Sequence, residues 1–177
     1  MAKSATPADL QIKPRDLHIN REAATPRWWF SGDPFGTAVM NALSLTFPDG
    51  ERFFIQSVKR FAKDAPPHLA ADIRAFTVQE GAHTREHMAF NAITARAGYE
   101  TAAIEAYVTE RLGVARARPP LAQLAATMAL EHFTAAFAHR LLADPDLLKD
   151  SPPDLARLWR WHAIEAVSYT HLTLPTK

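Results

Sequence analysis

The segment PPLAQLAATMALEHFTAAF, residues 119–137, decides the fold class of this chain. Pro119 and Pro120 suit the first turn of a helix, where the N–H that proline lacks would have no partner. Apolar residues then recur at helical spacing, at Leu121, Leu124, Met128, Leu130, Phe133 and Phe137. Because almost no polar face remains, the segment predicts a buried helix of a bundle that ends before Asp144 and Pro145.

Glu131 lies in the middle of this apolar helix. An isolated charge is costly to bury, so its carboxylate must be paired, protonated or bound to a metal ion. The sequence therefore makes Glu131 the first candidate metal ligand. Pairing with an arginine such as Arg140 or Arg52 is the alternative.

Four further helices are predicted on either side of this segment. They run from Phe35 to Lys63, with a kink or break at Pro48 and with Asp49 capping the second part; from Pro66-Pro67 to about Arg96; near Tyr99 to Leu112; and onward from Ser151-Pro152-Pro153. We find no convincing strand. The sequence therefore predicts an all-α helical bundle of four long helices and one shorter helix.

Three parts are expected along the chain: an irregular arm (residues 1–33), a helical metal-binding domain (34–165) and a tail (166–177). Trp28, Trp29 and Phe30 are expected to dock the arm onto the bundle, with a partner or lipid contact as the alternative. The tail fits poorly with a continuing helix and looks like translated adaptor or vector sequence after a truncated reading frame. His171 is therefore not taken as a ligand. A native, frayed C-terminus is the alternative.

Composition excludes several classes of protein. The chain of 177 residues suits one domain, and 20 basic against 19 acidic residues leave no basic field to attract nucleic acid. Cysteine is absent, so any metal must be bound by His, Asp or Glu, and a reducing, cytoplasmic location is expected. No apolar run reaches membrane-spanning length, so no transmembrane segment is expected.

A metal-binding pattern runs through the predicted helices. Glu80 and His83 are three residues apart, so they face one side of a helix and can reach one ion. Two-metal bundles use one Glu from each of two helices, here Glu51 and Glu131, and a Glu-x-x-His from each of two others. The last helix should supply the second such pair, but Glu165 is followed by Ala166, Val167, Ser168 and Tyr169. The missing pair and the unusual tail together predict a truncated last helix. Alternatively, Glu80 and His83 lie on a solvated face, and Glu51 is a surface carboxylate stabilised by a helix N-terminus.

Two further histidines are candidate catalytic residues. His87 lies one turn beyond His83, and His132 follows Glu131 directly. Each could orient the metal ligands or transfer protons, or could equally be a hydrogen-bonded core histidine. The roles of His162 and Glu165 stay open at this point.

Several short motifs, taken in order, resemble the family of predicted metal-dependent hydrolases with a ferritin-like helical core. The motifs are AVMNALS (38–44), FPDGERFF (47–54), QEGAH (79–83), EH (86–87), LEHFT (130–134) and WHA (161–163). The resemblance covers about residues 14 to 165 and implies metal ligation by Glu51, Glu80, His83 and Glu131. Members of the family continue the last helix with a Glu-rich run ending in Glu-His-Lys, and this chain departs from them at Ala166.

The leading functional hypothesis is a metal-dependent hydrolase acting on a small molecule, where the reaction type comes from the resemblance alone. A non-haem di-iron oxidase or oxygenase and a non-catalytic metal-binding or interaction module are the alternatives. The expected cofactor is a divalent metal, first of all iron, with two ions in a full-length relative; zinc and manganese are the other candidates. Self-association through the apolar face left by the truncated last helix is also expected.

Overall fold

Five α-helices form the core of the protein in a computed structural model that describes residues 12–22 and 24–173, with side chains described through Val167. The helices are α1 (Pro34–Lys59), α2 (Ala70–Arg96), α3 (Ala102–Arg116), α4 (Pro120–Ala143) and α5 (Pro153–Thr173). Short 3₁₀ turns at Pro67–Leu69 and Pro145–Leu148 lead into α2 and α5. No strand occurs in the described ranges, so the predicted all-α bundle of four long helices and one shorter helix is confirmed.

The first helix begins at Asp33, whose carboxylate accepts the backbone N–H groups of Phe35 and Gly36, both at 3.0 Å. It then continues without interruption through Pro48, so the predicted break does not occur. Asp49 consequently caps nothing, and its carboxylate accepts a hydrogen bond from the Arg52 guanidinium at 2.9 Å.

A side chain from α2 explains why Pro48 does not break the helix. Proline lacks the N–H that would bond to the carbonyl four residues earlier, which belongs to Ser44. The Asn91 side-chain amide donates to that carbonyl at 3.2 Å instead. The backbone oxygen that Pro48 frees is therefore satisfied by tertiary packing.

The helices pack as two pairs, α1 with α2 and α4 with α5, and further contacts of α1 with α4 and of α2 with α5 close the bundle. Helix α3 lies against α1 and α4. Helices α1 and α2 run antiparallel, because Ser44 bonds to Asn91 whereas Glu51 bonds to Thr84. Four long helices therefore surround one interior, in which residues of α1, α2 and α5 face one another.

The described part of the N-terminal arm docks onto the bundle, as the sequence predicts for its aromatic end. The Trp29 ring is 2% exposed, packs against Phe90 and Trp159, and donates its N–H to the Asn41 side-chain oxygen at 2.8 Å. Closer to the N-terminus, the fully buried Glu86 accepts the backbone N–H of Ile19 at 2.9 Å. The arm is thus held by both apolar and polar contacts. Residues 1–11 and 23 lie outside the described part of the chain.

Two predictions about the later helices need correction. Helix α4 is not buried all round, because large apolar residues on one side are exposed: Leu121, Met128, Leu130, Phe133 and Phe137. The backbone of α5 stays helical through Thr173, although the composition after Ala166 did not favour a continuing helix. The side chains of residues 168–173, including His171, and all of residues 174–177 lie outside the described structure. Among the described residues, no helix is both long enough and apolar enough to cross a membrane.

Candidate metal centre

Six acidic and histidine side chains from four helices form one buried group, which we call the ligand cluster. They are Glu51 from α1, Glu80 and His83 from α2, Glu131 from α4, and His162 and Glu165 from α5. One ligand atom from each of Glu51, His83 and His162 lies within 4.8 Å of the other two. Glu51, His83 and His162 are therefore close enough to share one ion.

His83 lies between two carboxylates. Its Nε2 is 2.9 Å from a Glu165 oxygen, and its Nδ1 is 3.5 Å from a Glu80 oxygen. Burial alone would lower the pKa of His83, but the charge of Glu80 and the hydrogen bond to Glu165 outweigh it and raise that pKa to about 10. In the metal-free protein this imidazole carries a proton that partly balances the negative cluster.

Glu51 has one satisfied and one unsatisfied oxygen. Its Oε2 accepts a hydrogen bond from the Thr84 hydroxyl at 2.9 Å, while its Oε1 is buried and has no hydrogen-bond partner among the described residues. That unpaired oxygen is 4.0 Å from Nε2 of His162. Burial, together with the negative charge of Glu80, raises the pKa of Glu51 to about 8. The carboxyl is thus held in a place where its charge has no adequate partner.

Glu131 on α4, like Glu51, has a buried carboxylate oxygen without a hydrogen-bond partner in the described structure. The residue as a whole is partly exposed, but this oxygen, Oε1, is buried. Burial and the charges of Glu80 and Glu51 raise its pKa well above the ordinary value. The arginine alternative does not hold, because Arg52 pairs with Asp49 and Arg140 pairs with Asp144.

These unpaired atoms fit a metal ion. Buried side-chain atoms without partners are rare in folded proteins. Of six such atoms in the described residues, three belong to this cluster: Oε1 of Glu51, Oε1 of Glu131 and Nδ1 of His83. Of these, Nδ1 of His83 lacks a hydrogen bond but forms an ion pair with Glu80. Carboxylate oxygens and imidazole nitrogens are donors that iron, zinc and manganese accept. A cation would also favour the charged forms of the two glutamates, whose pKa values are raised by burial and by the negative charge of Glu80.

A chain of hydrogen bonds, which we call the histidine relay, lies beside the cluster and consists of Asn91, Ser44, His87 and His162. The Ser44 hydroxyl is 2.6 Å from the Asn91 oxygen and 2.8 Å from Nδ1 of His87. Nε2 of His87 is in turn 2.7 Å from Nδ1 of His162. The relay therefore connects the α1–α2 packing around Pro48 to the cluster.

The orientation of the Asn91 amide determines where each proton of the relay lies. The Asn91 amide nitrogen donates to the Ser44 carbonyl, so its oxygen faces the Ser44 hydroxyl and accepts that proton. Ser44 must then accept from Nδ1 of His87, and Nε2 of a neutral His87 accepts from Nδ1 of His162. Burial, assisted by the positive charge of His83, lowers the pKa of both His87 and His162, so both rings are neutral. His162 is left with a lone pair on Nε2, the nitrogen nearest to Glu51.

The structure does not bring every expected site residue to this centre. Glu51, Glu80, His83 and Glu131 lie in the cluster, and His87 lies behind it in the relay. His132, expected as a catalytic candidate, is exposed on α4 beside Phe133. Adjacent residues on a helix point about 100° apart, so the neighbour of an inward-facing Glu131 points away from the site.

His162 and Glu165 are the residues whose roles the sequence left open. They have the same three-residue spacing as Glu80 and His83, but in the reverse order, His-x-x-Glu. A search for Glu-x-x-His on the last helix therefore finds no pair, although α5 brings one imidazole and one carboxylate to the cluster. A search for both Glu-x-x-His and His-x-x-Glu spacing would find this pair in the sequence.

Comparison with known proteins identifies the family. The family model described as predicted metal-dependent hydrolase matches residues 13–169, which include α1 to α4 and most of α5. The chain belongs to this family, and the resemblance noted from its motifs is confirmed. No curated protein and no solved structure matches the chain.

Proposed function

We propose that this protein is a metal-dependent hydrolase whose metal is held in the core of a ferritin-like bundle by Glu51, Glu80, His83 and Glu131, with His162 as a further ligand. The observation that carries the proposal is that Glu51, His83 and His162, from α1, α2 and α5, each place one ligand atom within 4.8 Å of the other two. A divalent ion bound there would polarise the bond to be cleaved and lower the pKa of a bound water.

The protein's own residues divide into two groups in this proposal. Glu51, Glu80 and Glu131 supply the carboxylates that attract a cation, and His83 supplies an imidazole nitrogen once it has lost its proton. Glu165 holds His83 in place by its 2.9 Å hydrogen bond. His87 acts through His162: by accepting the Nδ1 proton, it keeps the opposite nitrogen of His162 available as a ligand. His87 is thus a positioning residue, and His132 has no part in the site.

The first test is metal content and hydrolysis in matched variants. The purified protein is stripped with a chelator and reloaded with zinc, manganese or iron, and both metal content and cleavage of simple esters and amides are measured without oxygen. His83→Ala should weaken metal binding more than about 100-fold, because losing an outer orienting group alone costs about 10- to 100-fold. His139→Ala is the control, since His139 is exposed. A folded wild-type protein that takes up none of these metals contradicts the proposal.

The richness of the site in carboxylates favours one second candidate, a non-haem di-iron oxidase or oxygenase. Four glutamates and two histidines from four helices resemble the donor set that two-iron helical bundles use. This alternative predicts about two iron ions per chain and oxygen consumption that depends on iron. Hydrolysis by a zinc- or manganese-loaded protein without oxygen decides against it.

A further inference from the structure

An apolar cavity of about 240 Å³ lies between α1, α4 and α5. Helices α1 and α4 meet at one end through the hydroxyls of Ser57 and Thr127, which are 2.7 Å apart. The cavity lies further along the two helices, where Leu43 of α1 and Ala138 of α4 line its walls. It is therefore a gap between two helices of the bundle that are joined elsewhere.

The chemistry of the lining restricts what this cavity can bind. Besides His162 and the indole N–H of Trp159, its polar members are Thr134 and Arg140. The Thr134 hydroxyl donates to the Leu130 carbonyl of its own helix at 3.1 Å, and the Arg140 guanidinium pairs with Asp144 at 3.2 Å. A charged ligand would lose its hydration here without meeting an unpaired opposite charge in the described lining, which is costly. An uncharged, apolar ligand loses little and gains from leaving water.

The volume of the cavity sets the size of the ligand. A dry, apolar cavity of about 150 Å³ in a protein core is large enough to hold benzene. The cavity described here is larger, so it has room for a substituted aromatic ring or for an alkyl group of similar volume.

His162 belongs both to this cavity and to the ligand cluster. Its ring contacts Phe47 with centroids 4.6 Å apart, and Phe47 and Trp159 line the cavity beside it. Its Nε2 lies 4.0 Å from the unpaired oxygen of Glu51. A ligand that fills the cavity thus touches a residue that we assign to the metal.

We propose that the cavity binds the apolar alkyl or aryl part of an uncharged substrate, with the polar group of that substrate at the His162 end. This inference rests on the proposed function for the role of the metal, whereas binding in the cavity does not depend on it. It names a substrate class, namely small uncharged molecules with one apolar arm.

The experiment titrates the whole protein with fluorobenzene and follows the probe by ¹⁹F NMR. The wild-type protein should show saturable binding to one site. Leu43→Trp, which fills the cavity, should weaken it at least tenfold, and Val39→Trp at the half-exposed rim is a second variant should Leu43→Trp not fold. Phe133→Gln is the matched control: it removes an apolar side chain of α4 that is 62% exposed and outside the cavity, and it should leave binding unchanged. Binding that survives the tryptophan variants, or that Phe133→Gln removes, overturns the proposal.

A second measurement tests whether a ligand in the cavity lies close to the metal. In protein loaded with Mn²⁺, the bound probe's ¹⁹F line should broaden strongly compared with protein loaded with Zn²⁺; equal widths overturn the placement beside His162. The two proposals fail separately in this design. If the protein takes up no metal but still binds fluorobenzene saturably, the cavity proposal stands and the proposed function fails. If the protein takes up metal but does not bind the probe saturably, the proposed function stands and the proposed substrate class fails.

Discussion

The ligand cluster and the histidine relay are adjoining groups of buried polar side chains, and they differ in how their atoms are satisfied. In the relay, Ser44, His87 and Asn91 are at most 9% exposed, and hydrogen bonds connect them to one another and to His162. In the cluster, Glu51 and Glu131 each keep a buried oxygen without a partner, and both have a raised pKa. Hydrogen bonds within the protein therefore satisfy the relay, whereas two carboxylates of the cluster each keep an oxygen that could bind a cation.

This difference distinguishes buried polar groups that stabilise the fold, as in the relay, from buried polar groups that are suited to binding a ligand, as in the cluster. A buried polar group that is fully hydrogen-bonded adds rigidity, whereas one that lacks a partner destabilises the fold unless something binds it. Equivalent substitutions should therefore act in opposite directions in the two places. In the metal-free protein, loss of a polar group from the relay should lower the free energy of unfolding. Loss of a carboxylate from the cluster should raise it.

The largest effect on stability should come from the centre of the relay. His87→Leu removes both the donor to Ser44 and the acceptor for His162, and each buried group left unsatisfied costs roughly 1–3 kcal/mol. We expect the free energy of unfolding of the metal-free protein to fall by about 3 kcal/mol in urea titrations. His139→Leu, at an exposed position of α4, should change it little. Equal stability of the two variants would mean that the relay does not hold the fold together.

The next effect is a pH dependence that the cluster imposes on the metal-free protein. Above pH 6.5 an unfolded chain has released the protons of Glu51 and His83, whose ordinary pKa values are 4.5 and 6.5, while the folded protein retains them up to about 8 and 10. The folded state therefore binds more protons, and its stability falls as the pH rises from 6.5 to 8. For the proton on Glu51 the loss is about 2 kcal/mol across this window.

Unfolding measurements at pH 6.5 and pH 8 check this sign. Below pH 6.5 the lowered pKa values of His87 and His162 act in the opposite sense, because stability is lost when an unfolded chain can protonate them, so the window stops there. Glu51→Gln should reduce the slope, and saturating metal should abolish it because bound ligands are already deprotonated. Stability that rises between pH 6.5 and pH 8 in the metal-free protein would show that the cluster does not retain protons.

A smaller effect of opposite sign to that of His87→Leu should appear at Glu131. Glu131→Gln keeps the shape of the side chain but removes the carboxyl whose charged form burial disfavours. At pH 8 we expect the metal-free protein to gain about 1 kcal/mol, since an uncompensated buried carboxyl is costly, while metal affinity decreases. Glu100→Gln, on the exposed surface, serves as the control. A loss of stability together with unchanged metal affinity would remove Glu131 from the cluster.

Local sequence signals account for most of the fold. Prolines mark where α4 and α5 begin, and α2 ends just before Gly98, whose φ of +86° suits a helix end. Helical spacing predicts that Glu80 and His83 face one site. Such signals involve residues within a few positions of one another, which is why they can be read without tertiary structure.

Predictions that depend on distant residues were less successful. The uninterrupted helix at Pro48 depends on Asn91, which lies 43 positions later in the chain, so the sequence around the proline predicts a break. The apolar composition of α4 does not show which side faces the core, so the sequence makes His132 a candidate site residue although it is exposed. The role of His162 depends on a hydrogen bond to another helix, which the sequence around it does not show.

The smallest predicted effect tests whether Pro48 helps to arrange the relay. Pro48→Ala supplies a backbone N–H that can bond to the Ser44 carbonyl and displace the Asn91 amide from it. The gain of a regular helical bond offsets the loss of ring contacts, so stability should change by less than about 1 kcal/mol. Once Asn91 no longer fixes the direction of the Ser44 proton, His87 and His162 are less firmly held, and metal affinity should decrease by less than about tenfold. Pro67→Ala, at an exposed position in the turn before α2, should leave affinity unchanged. If Pro48→Ala binds metal as tightly as the wild type, then the relay holds its proton directions without the proline, and the link between the two regions begins at Asn91.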